Sequence, residues 1–176
     1  MLGVHAGVVM QTVSDVDGGT IDFEDLYLAE RIRLVRAMLL LTGRVGEAED
    51  LAQEAFVRVY ERWPQIREMD SPTGYLYRTA LNLHRKRLRR LAVEVRNRAV
   101  QHEDDPGGDV ADERLDLLRA VAALPIAQRQ AVVLVDWLGF PPSEAALLLG
   151  IEAASVRGRL HRARLELRRQ VGGNDA

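Results

Sequence analysis

The chain has 176 residues, of which 47% are hydrophobic and 28% are charged, a balance that excludes disordered and membrane-embedded proteins. It has no cysteine, which excludes disulfide bonds, thiolate metal sites and a cysteine nucleophile and agrees with a reducing cytoplasm. The net charge of −2 argues against a simple nucleic-acid-binding protein, although basic residues concentrate at 78–98 and 157–169 and acidic residues at 47–61 and 102–116.

The amino-terminal sequence indicates a disordered tail followed by one helix. Residues 1–20 lack the basic start and long apolar core of a signal peptide, so we expect a disordered tail there. No stretch of the chain approaches the roughly 18 apolar residues that a membrane span requires. Apolar residues then follow the helical period up to Thr42 and Gly43. They are Leu28, Ile32, Val35 and Leu39, with Leu34, Met38 and Leu41 widening the stripe.

A second helix is predicted from Glu47 to Trp63, where Pro64 stops the pattern. Its apolar arc consists of Leu51, Ala52, Ala55, Phe56, Val59 and Trp63. Its outer face carries Asp50, Gln53, Glu54, Val57 and Glu61. An acidic stripe with an apolar residue in it suits a basic protein partner, because charge steers the encounter and the apolar contact adds affinity. Most charged stripes merely face water, so both interpretations stay open at this point.

A third helix is predicted to open at Ser71 and Pro72, where serine can cap and proline is tolerated, and to continue to about Leu91. It contains the stretch YLYRTALNLHRKRLRR. The predicted buried arc is Leu76, Tyr77, Ala80, Leu81, Leu83, Leu88 and Leu91. The opposite arc carries Tyr75, Arg78, Thr79, Asn82, Arg85, Lys86, Arg89 and Arg90.

This opposite arc joins an aromatic ring and an amide to a dense cationic patch. Duplex DNA would contact the cationic side chains but would offer no unstacked base to the ring. Single-stranded DNA would use both, because unstacked bases lie on aromatic rings while the phosphates follow the positive charge. The arc therefore predicts a partner in which duplex DNA turns into separated strands. The alternative for Tyr75 is a packing role at the start of the helix.

Helix breakers divide the chain into two halves. The apolar period fades over residues 93–111, which include DDPGGD, and this predicts a flexible linker between domains at 21–92 and 112–176. In the second domain a helix is predicted to begin near Leu115 and end before Pro125, followed by helices at about 126–137, 142–149 and 152–169. No segment alternates as a strand does, so the predicted fold is all-α, with two small helical domains.

Residues 139–164, GFPPSEAALLLGIEAASVRGRLHRAR, have the spacing of a helix-turn-helix. Gly150 can adopt the positive φ of the tight turn, and Ile151 can fill the angle between the helices. The inward stripe is Val156, Leu160, Ala163 and Leu167. The outer and flanking positions include Ser155, Arg157, Arg159, His161 and Arg162. Such a face can set its first residues against base edges and later arginines against phosphates, whereas the alternative is an ordinary solvated helix.

Three stretches in order resemble the small extracytoplasmic-function type of bacterial RNA polymerase sigma factor. GEAEDLAQEAFVRVYERW resembles its clamp-binding helix, and SPTGYLYRTALNLHRKRLRR resembles its −10 recognition and melting helix. LPIAQRQAVVLVDWLGFPPSEAALLLGIEAASVRGRLHRARLELRR resembles its −35-binding domain, so the match spans about residues 21–170. The chain departs from the family pattern at Pro141 and Pro142, where a serine or threonine cap is usual, and at Leu147, where a polar residue is common.

The resemblance implies a function: binding core RNA polymerase, recognising −10 and −35 promoter elements, promoting strand separation and directing transcription initiation of a specific regulon. It implies that Asp50, Gln53, Glu54 and Val57 meet the polymerase clamp. It implies that the −10 element and its separated strand are held by the loop at 64–72 and by Tyr75, Arg78, Asn82, Arg85, Lys86 and Arg89. It implies that the −35 element is engaged by Ser155, Arg157, Arg159, His161 and Arg162.

The same resemblance implies a cytoplasmic protein with no cofactor, no metal, no small-molecule substrate, no membrane insertion and no catalytic site of its own. An anti-sigma protein that covers both DNA-binding surfaces is a further expected partner. Two other functional classes fit the sequence less well, a conventional helix-turn-helix regulator and an enzyme. A conventional helix-turn-helix regulator would leave the Tyr75 surface unexplained, and the histidines at 5, 84, 102 and 161 lack the spacing of an enzyme's ligands or catalysts. His84 falls on the apolar arc of its helix and is predicted to be packed.

Overall fold

The structure is a computed structural model that describes residues 22–97 and 113–172, with side chains over 22–93 and 118–170. The predicted tail at 1–20 lies outside the described residues, as does the predicted linker from residue 98 onward. Every regular element of the described part is helical, as predicted. The helices are α1 (Phe23–Thr42), α2 (Val45–Glu61), α3 (Trp63–Ile66), α4 (Pro72–Asn97), α5 (Glu113–Ala123), α6 (Ile126–Val132, continued by a π-helical turn, Val133–Trp137), α7 (Pro142–Leu149) and α8 (Ala153–Gly172).

Helix α1 buries only part of the apolar stripe that its spacing predicts. Leu28 and Ile32 are 57% and 51% exposed, so that part of the prediction was wrong. The buried side chains include Leu34, Met38 and Leu41. Apolar residues occupy most of the circumference of this helix, and α2 and the carboxyl-terminal helices, which pack against it, decide which of them are covered.

Helix α2 packs as predicted. Leu51, Ala52, Ala55, Phe56, Val59 and Trp63 are all buried. The helix ends at Glu61, and Pro64 lies in the first turn of the short helix α3, where its missing N–H is tolerated. The predicted apolar arc therefore fixes α2 against α1 and α4 and leaves its acidic side outward.

Helix α4 begins with the predicted serine cap, because the Ser71 hydroxyl accepts a hydrogen bond from the Gly74 amide at 3.0 Å. The buried arc is correct up to Leu83 but wrong at Leu88 and Leu91, which are 36% and 40% exposed. The helix runs on to Asn97, six residues past the predicted end at Leu91. Its last turns carry the apolar spacing of a core helix without being covered by the described part of the core.

The carboxyl-terminal half contains the predicted helix-turn-helix. Helix α7 ends at Leu149 and is followed by Gly150, whose φ is +66°, and Val156, Leu160 and Ala163 of α8 are buried. Helix α7 begins at Pro142 without a side-chain cap, so the departure from the family's usual cap leaves the helix intact. In the π-helical turn the Leu138 N–H donates a hydrogen bond to the Val133 carbonyl at 2.9 Å.

The two halves share one core, which the sequence did not predict. The contiguous cluster of buried side chains includes residues from both halves. Helix α1 packs against α5, α6 and the π-helical turn, and α4 packs against α7. The helix-turn-helix is therefore folded back against the helix that carries the basic stretch. Over the described ranges, no helix combines the length and hydropathy needed to cross a bilayer.

Candidate polymerase- and promoter-binding surfaces

The outer face of α2 presents the predicted acidic stripe. Asp50, Gln53, Glu54 and Val57 are all exposed. Two arginines touch the stripe: Arg58 pairs with Glu54 at 2.6 Å, and Arg87 of α4 approaches Asp50 at 3.9 Å. Exposed ion pairs of this kind contribute little to stability, so both carboxylates can exchange these partners for an incoming cation at low free-energy cost.

An aromatic groove, which the sequence pattern did not predict, lies beside this stripe. Its cavity of about 520 Å³ lies between α1 and α2 and shares Gln53 and Val57 with the acidic stripe. Phe23 meets Tyr60 at a centroid distance of 4.9 Å, and Tyr27 meets Phe56 at the same distance. The signal was present, since each helix carries two aromatic residues four positions apart, which places them on one face. The groove adds an apolar patch to the acidic stripe.

The outer face of α4 forms a shallow basic groove. Arg78, Asn82, Lys86 and Arg89 are exposed as predicted. A cavity of about 660 Å³ is lined by Asn82, Lys86, Arg89, Arg90 and Val93. Amide and guanidinium groups here can donate hydrogen bonds to phosphates and base edges.

Two predicted −10 residues are less free than their neighbours. Tyr75 is half-buried and packs against the core, so part of its ring serves the packing role that the sequence left open. Arg85 is also half-buried, and its guanidinium donates to the Asn82 side chain at 3.2 Å and to the Leu149 carbonyl at 3.1 Å. Burial and the nearby guanidinium groups of Arg89, Arg159 and Arg78 lower the pKa of Arg85 below its ordinary value.

Polar groups are buried beneath α4. The Tyr77 hydroxyl donates to Glu30 at 2.8 Å, and Glu30 pairs with Arg33 at 3.2 Å. Burial and the Glu30 carboxylate raise the pKa of Tyr77 above its ordinary value. His84 is only 1% exposed, which confirms its predicted packing, and within the described residues neither ring nitrogen has a hydrogen-bond partner. Burial, aided by three arginines, lowers the pKa of His84 to about 4.

The outer face of α8 displays most of the predicted −35 residues. Ser155, Arg157, His161 and Arg162 are exposed, whereas Arg159 is half-buried. Asp136 accepts two hydrogen bonds from Arg164, at 2.6 and 3.2 Å, and this pairing raises the pKa of Arg164 and ties α8 to the π-helical turn. The structure thus brings two of the predicted residues near each other, since Arg85 of α4 and Arg159 of α8 are close enough to interact electrostatically.

Comparison with known proteins places these surfaces in a family. The model of sigma-70 region 2 matches residues 25–94, and that of sigma-70 region 4 matches residues 114–167. The RNA polymerase sigma-E factor of Streptomyces avermitilis is 30% identical over 164 residues, which cover 90% of this chain and 89% of that protein. The chain belongs to the sigma-70 family. It is a promoter-recognising sigma factor of the extracytoplasmic-function type that directs transcription initiation.

Other relatives agree with this sigma-factor assignment. The ECF RNA polymerase sigma factor SigE of Mycolicibacterium smegmatis is 35% identical over 155 residues, 83% of this chain, and the chain spans 60% of that protein's length. The sigma factor RpoE of Bartonella quintana, solved in complex with the anti-sigma factor NepR, superposes with a TM-score of 0.76 at 22% identity. That match covers 86% of this chain and 97% of the other, which supports the all-α fold with both halves packed together.

Proposed function

We propose that this sigma factor divides its work among three helices. The outer face of α2 binds the clamp of core RNA polymerase, that of α4 binds the −10 element and its separated strand, and that of α8 binds the −35 element. The observation that best supports this assignment is that α4 has one buried apolar side and one exposed polar side. One side supplies buried core residues such as Leu76 and Tyr77, while the other displays an amide and a cationic row.

The polymerase contact uses both charge and apolar area. Glu54 and Asp50, with side chains 51% and 70% exposed, offer carboxylates to a basic partner. Val57, at 49% exposure, and the aromatic groove next to it offer an apolar contact. A basic helical surface with apolar side chains matches this combination, because the charges speed the encounter and the apolar contact slows dissociation.

Strand separation follows because α4 binds the separated strand in preference to the duplex. The cationic row of α4 holds the phosphate chain, and the exposed part of the Tyr75 ring offers a stacking surface that only an unpaired base can use. The free energy released by these contacts favours the open form of the promoter. The sigma factor therefore needs no nucleotide hydrolysis and no catalytic site of its own for this step.

Recognition of the −35 element fits the geometry of α8. Ser155 and Arg157 lie at the start of this helix, where the residues of a recognition helix meet base edges in the major groove. His161 and Arg162 lie one turn or more further along and are placed for phosphate contacts. The polymerase holds both halves on one promoter, so modest affinity of each half for DNA is sufficient.

We also infer that the protein works in the cytoplasm and has an anti-sigma partner. This inference is supported by solved complexes of two similar folds, RpoE with the anti-sigma factor NepR and CnrH with the cytosolic domain of CnrY. A partner that covers α4 and α8 together would suit the arrangement in which α4 packs against α7 and Arg85 lies near Arg159 of α8.

The test is run-off transcription with core polymerase and genomic DNA from the same organism. The proposal predicts specific start sites that require this protein and disappear with the double variant Arg78→Ala, Lys86→Ala. The matched control is Arg36→Ala, which removes an exposed cation of α1 outside the three proposed surfaces and should leave the start sites unchanged. Start sites that persist in the absence of the sigma factor, or that the double variant leaves unchanged, would refute it.

A further inference from the structure

The outer side of α1 carries a regular apolar stripe that the core covers only in part. This outer stripe consists of Leu28, Ile32, Val35 and Leu39. Leu28 and Ile32 are 57% and 51% exposed, and the other two are half-buried. Steps of four, three and four residues are typical of the seam of a coiled coil. The buried residues of α1, such as Leu34, lie on the opposite side, so this helix has two apolar sides and the core uses one of them.

Charges of opposite sign lie at the two ends of one flank of the outer stripe. Asp25 is in the first turn of α1, Arg36 follows three turns later, and both are exposed. At about 100° and about 1.5 Å per residue, the two side chains point to the same side and lie about 16 Å apart along the helix. Across the described residues neither has an ion-pair partner. Ala29 lies between them and is exposed, so a second helix can approach closely there.

This surface is complementary to itself. When a second copy of α1 lies antiparallel against the first, Asp25 of each copy meets Arg36 of the other, and Leu28 of each meets Ile32 of the other. Such a contact has twofold symmetry, the commonest symmetry among oligomers of a single chain. A parallel arrangement would instead set Asp25 against Asp25 and Arg36 against Arg36, which repulsion between like charges disfavours. The charge order therefore selects the antiparallel arrangement.

The size and charge of the surface limit what can cover it. The stretch 25–36 is about 18 Å long, and one helix pair of that length buries less than the roughly 1,200 Å² of a stable interface. A contact made by this surface alone is therefore weak. The carboxylates of Glu24 and Asp25 disfavour an anionic lipid surface. A second copy of the chain supplies the apolar stripe and the reversed charge order together.

We propose that the free sigma factor associates with itself as a weak antiparallel dimer through the outer stripe of α1. Leu28 and Ile32 supply the apolar contact, and the two pairs formed by Asp25 and Arg36 fix the orientation. None of these residues belongs to the faces of α2, α4 and α8 that are assigned to polymerase and promoter. The dimer is therefore a separate property of the chain, and its failure would leave the proposed function standing.

Exchange of the two charges tests the proposal. In sedimentation velocity of the full chain, from low to several hundred micromolar, wild type should shift reversibly from monomer to dimer. Asp25→Arg should raise the dissociation constant of the dimer about tenfold, because two attractive pairs become repulsive. The double variant Asp25→Arg, Arg36→Asp should restore association to the wild-type level. Wild type that stays monomeric at every concentration, a single variant that associates as wild type does, or a double variant as weak as the single one would overturn the proposal.

A second pair of variants tests the apolar contact. Ile32→Ser removes apolar area from both copies and should weaken the dimer about tenfold or more. Val45→Ser is the matched control, since Val45 is 60% exposed at the start of α2 and lies outside the outer stripe, and it should associate as wild type does. Both side chains are largely exposed, so the urea midpoints should agree with that of wild type. Equal weakening by the two variants would show nonspecific apolar association and would contradict a dimer formed by the outer stripe.

Discussion

His84 allows a quantitative test of the buried interface. Its ring is almost fully covered, and within the described residues neither nitrogen is paired. Burial first, and then the charges of Arg129, Arg85 and Arg87, lower the pKa from 6.5 to about 4. These arginines come from α4 and α6, so the histidine stays uncharged between positive groups of both halves.

The sign of the pH dependence follows from this lowered pKa. Between pH 6.5 and pH 4 the unfolded chain binds a proton at His84 that the folded chain does not, so the stability contributed by the neutral ring is present above pH 6.5 and is lost as the pH falls. At about 1.4 kcal/mol per pH unit, the loss between pH 7.5 and pH 5 is about 2 kcal/mol.

We expect His84→Leu to remove this loss. Urea unfolding at pH 7.5 and pH 5 should show wild type losing about 2 kcal/mol more than the variant, because leucine fills a similar volume and does not titrate. The control is His161→Gln, which changes an exposed histidine and should behave as wild type does. If wild type and His84→Leu lose the same free energy of unfolding, His84 is not held neutral in the folded protein and the argument fails.

Three further variants probe the three surfaces separately. Tyr75→Ala should weaken binding to a forked template by about 1–3 kcal/mol and leave binding to intact duplex nearly unchanged; equal loss on both would show that the ring is purely structural. Glu54→Arg should weaken the affinity for core polymerase about tenfold or more without changing the urea midpoint, and unchanged affinity in a pull-down titration would remove α2 from the polymerase contact. Arg162→Ala should lower the salt dependence of binding to a −35 duplex by about one counterion, with equal weakening across sequences; a sequence-dependent loss would instead indicate a base contact.

Local pattern was sufficient to predict the longer helices and the inward stripe of α8. The cap at Ser71, the positive φ at Gly150 and the inward stripe of α8 all depend on a few adjacent residues, and all were predicted correctly. The apolar arc of α2 was also correct because only one side of that helix is apolar. In α1 apolar residues surround the helix, so spacing alone could not show that Leu28 and Ile32 face outward.

Long-range packing accounts for what the sequence did not reveal. An arginine that caps a distant helix has no local signature, because its acceptor is a main-chain carbonyl that any residue could supply. The contact between Arg85 and Leu149 joins residues 64 positions apart, and that between Arg33 and Leu138 joins residues 105 apart. The partial burial of Arg85, which local pattern placed on an open face, follows from the same packing of the two halves.

Permanganate footprinting of a promoter mapped by run-off transcription tests the central claim most directly, because the reagent oxidises thymines only where they are unpaired. With core polymerase and this sigma factor, we expect reactive thymines at the −10 element without any added nucleotide, and we expect their reactivity to fall with Tyr75→Ala. A complex that protects both promoter elements yet leaves every thymine paired would contradict the view that α4 binds the separated strand in preference to the duplex.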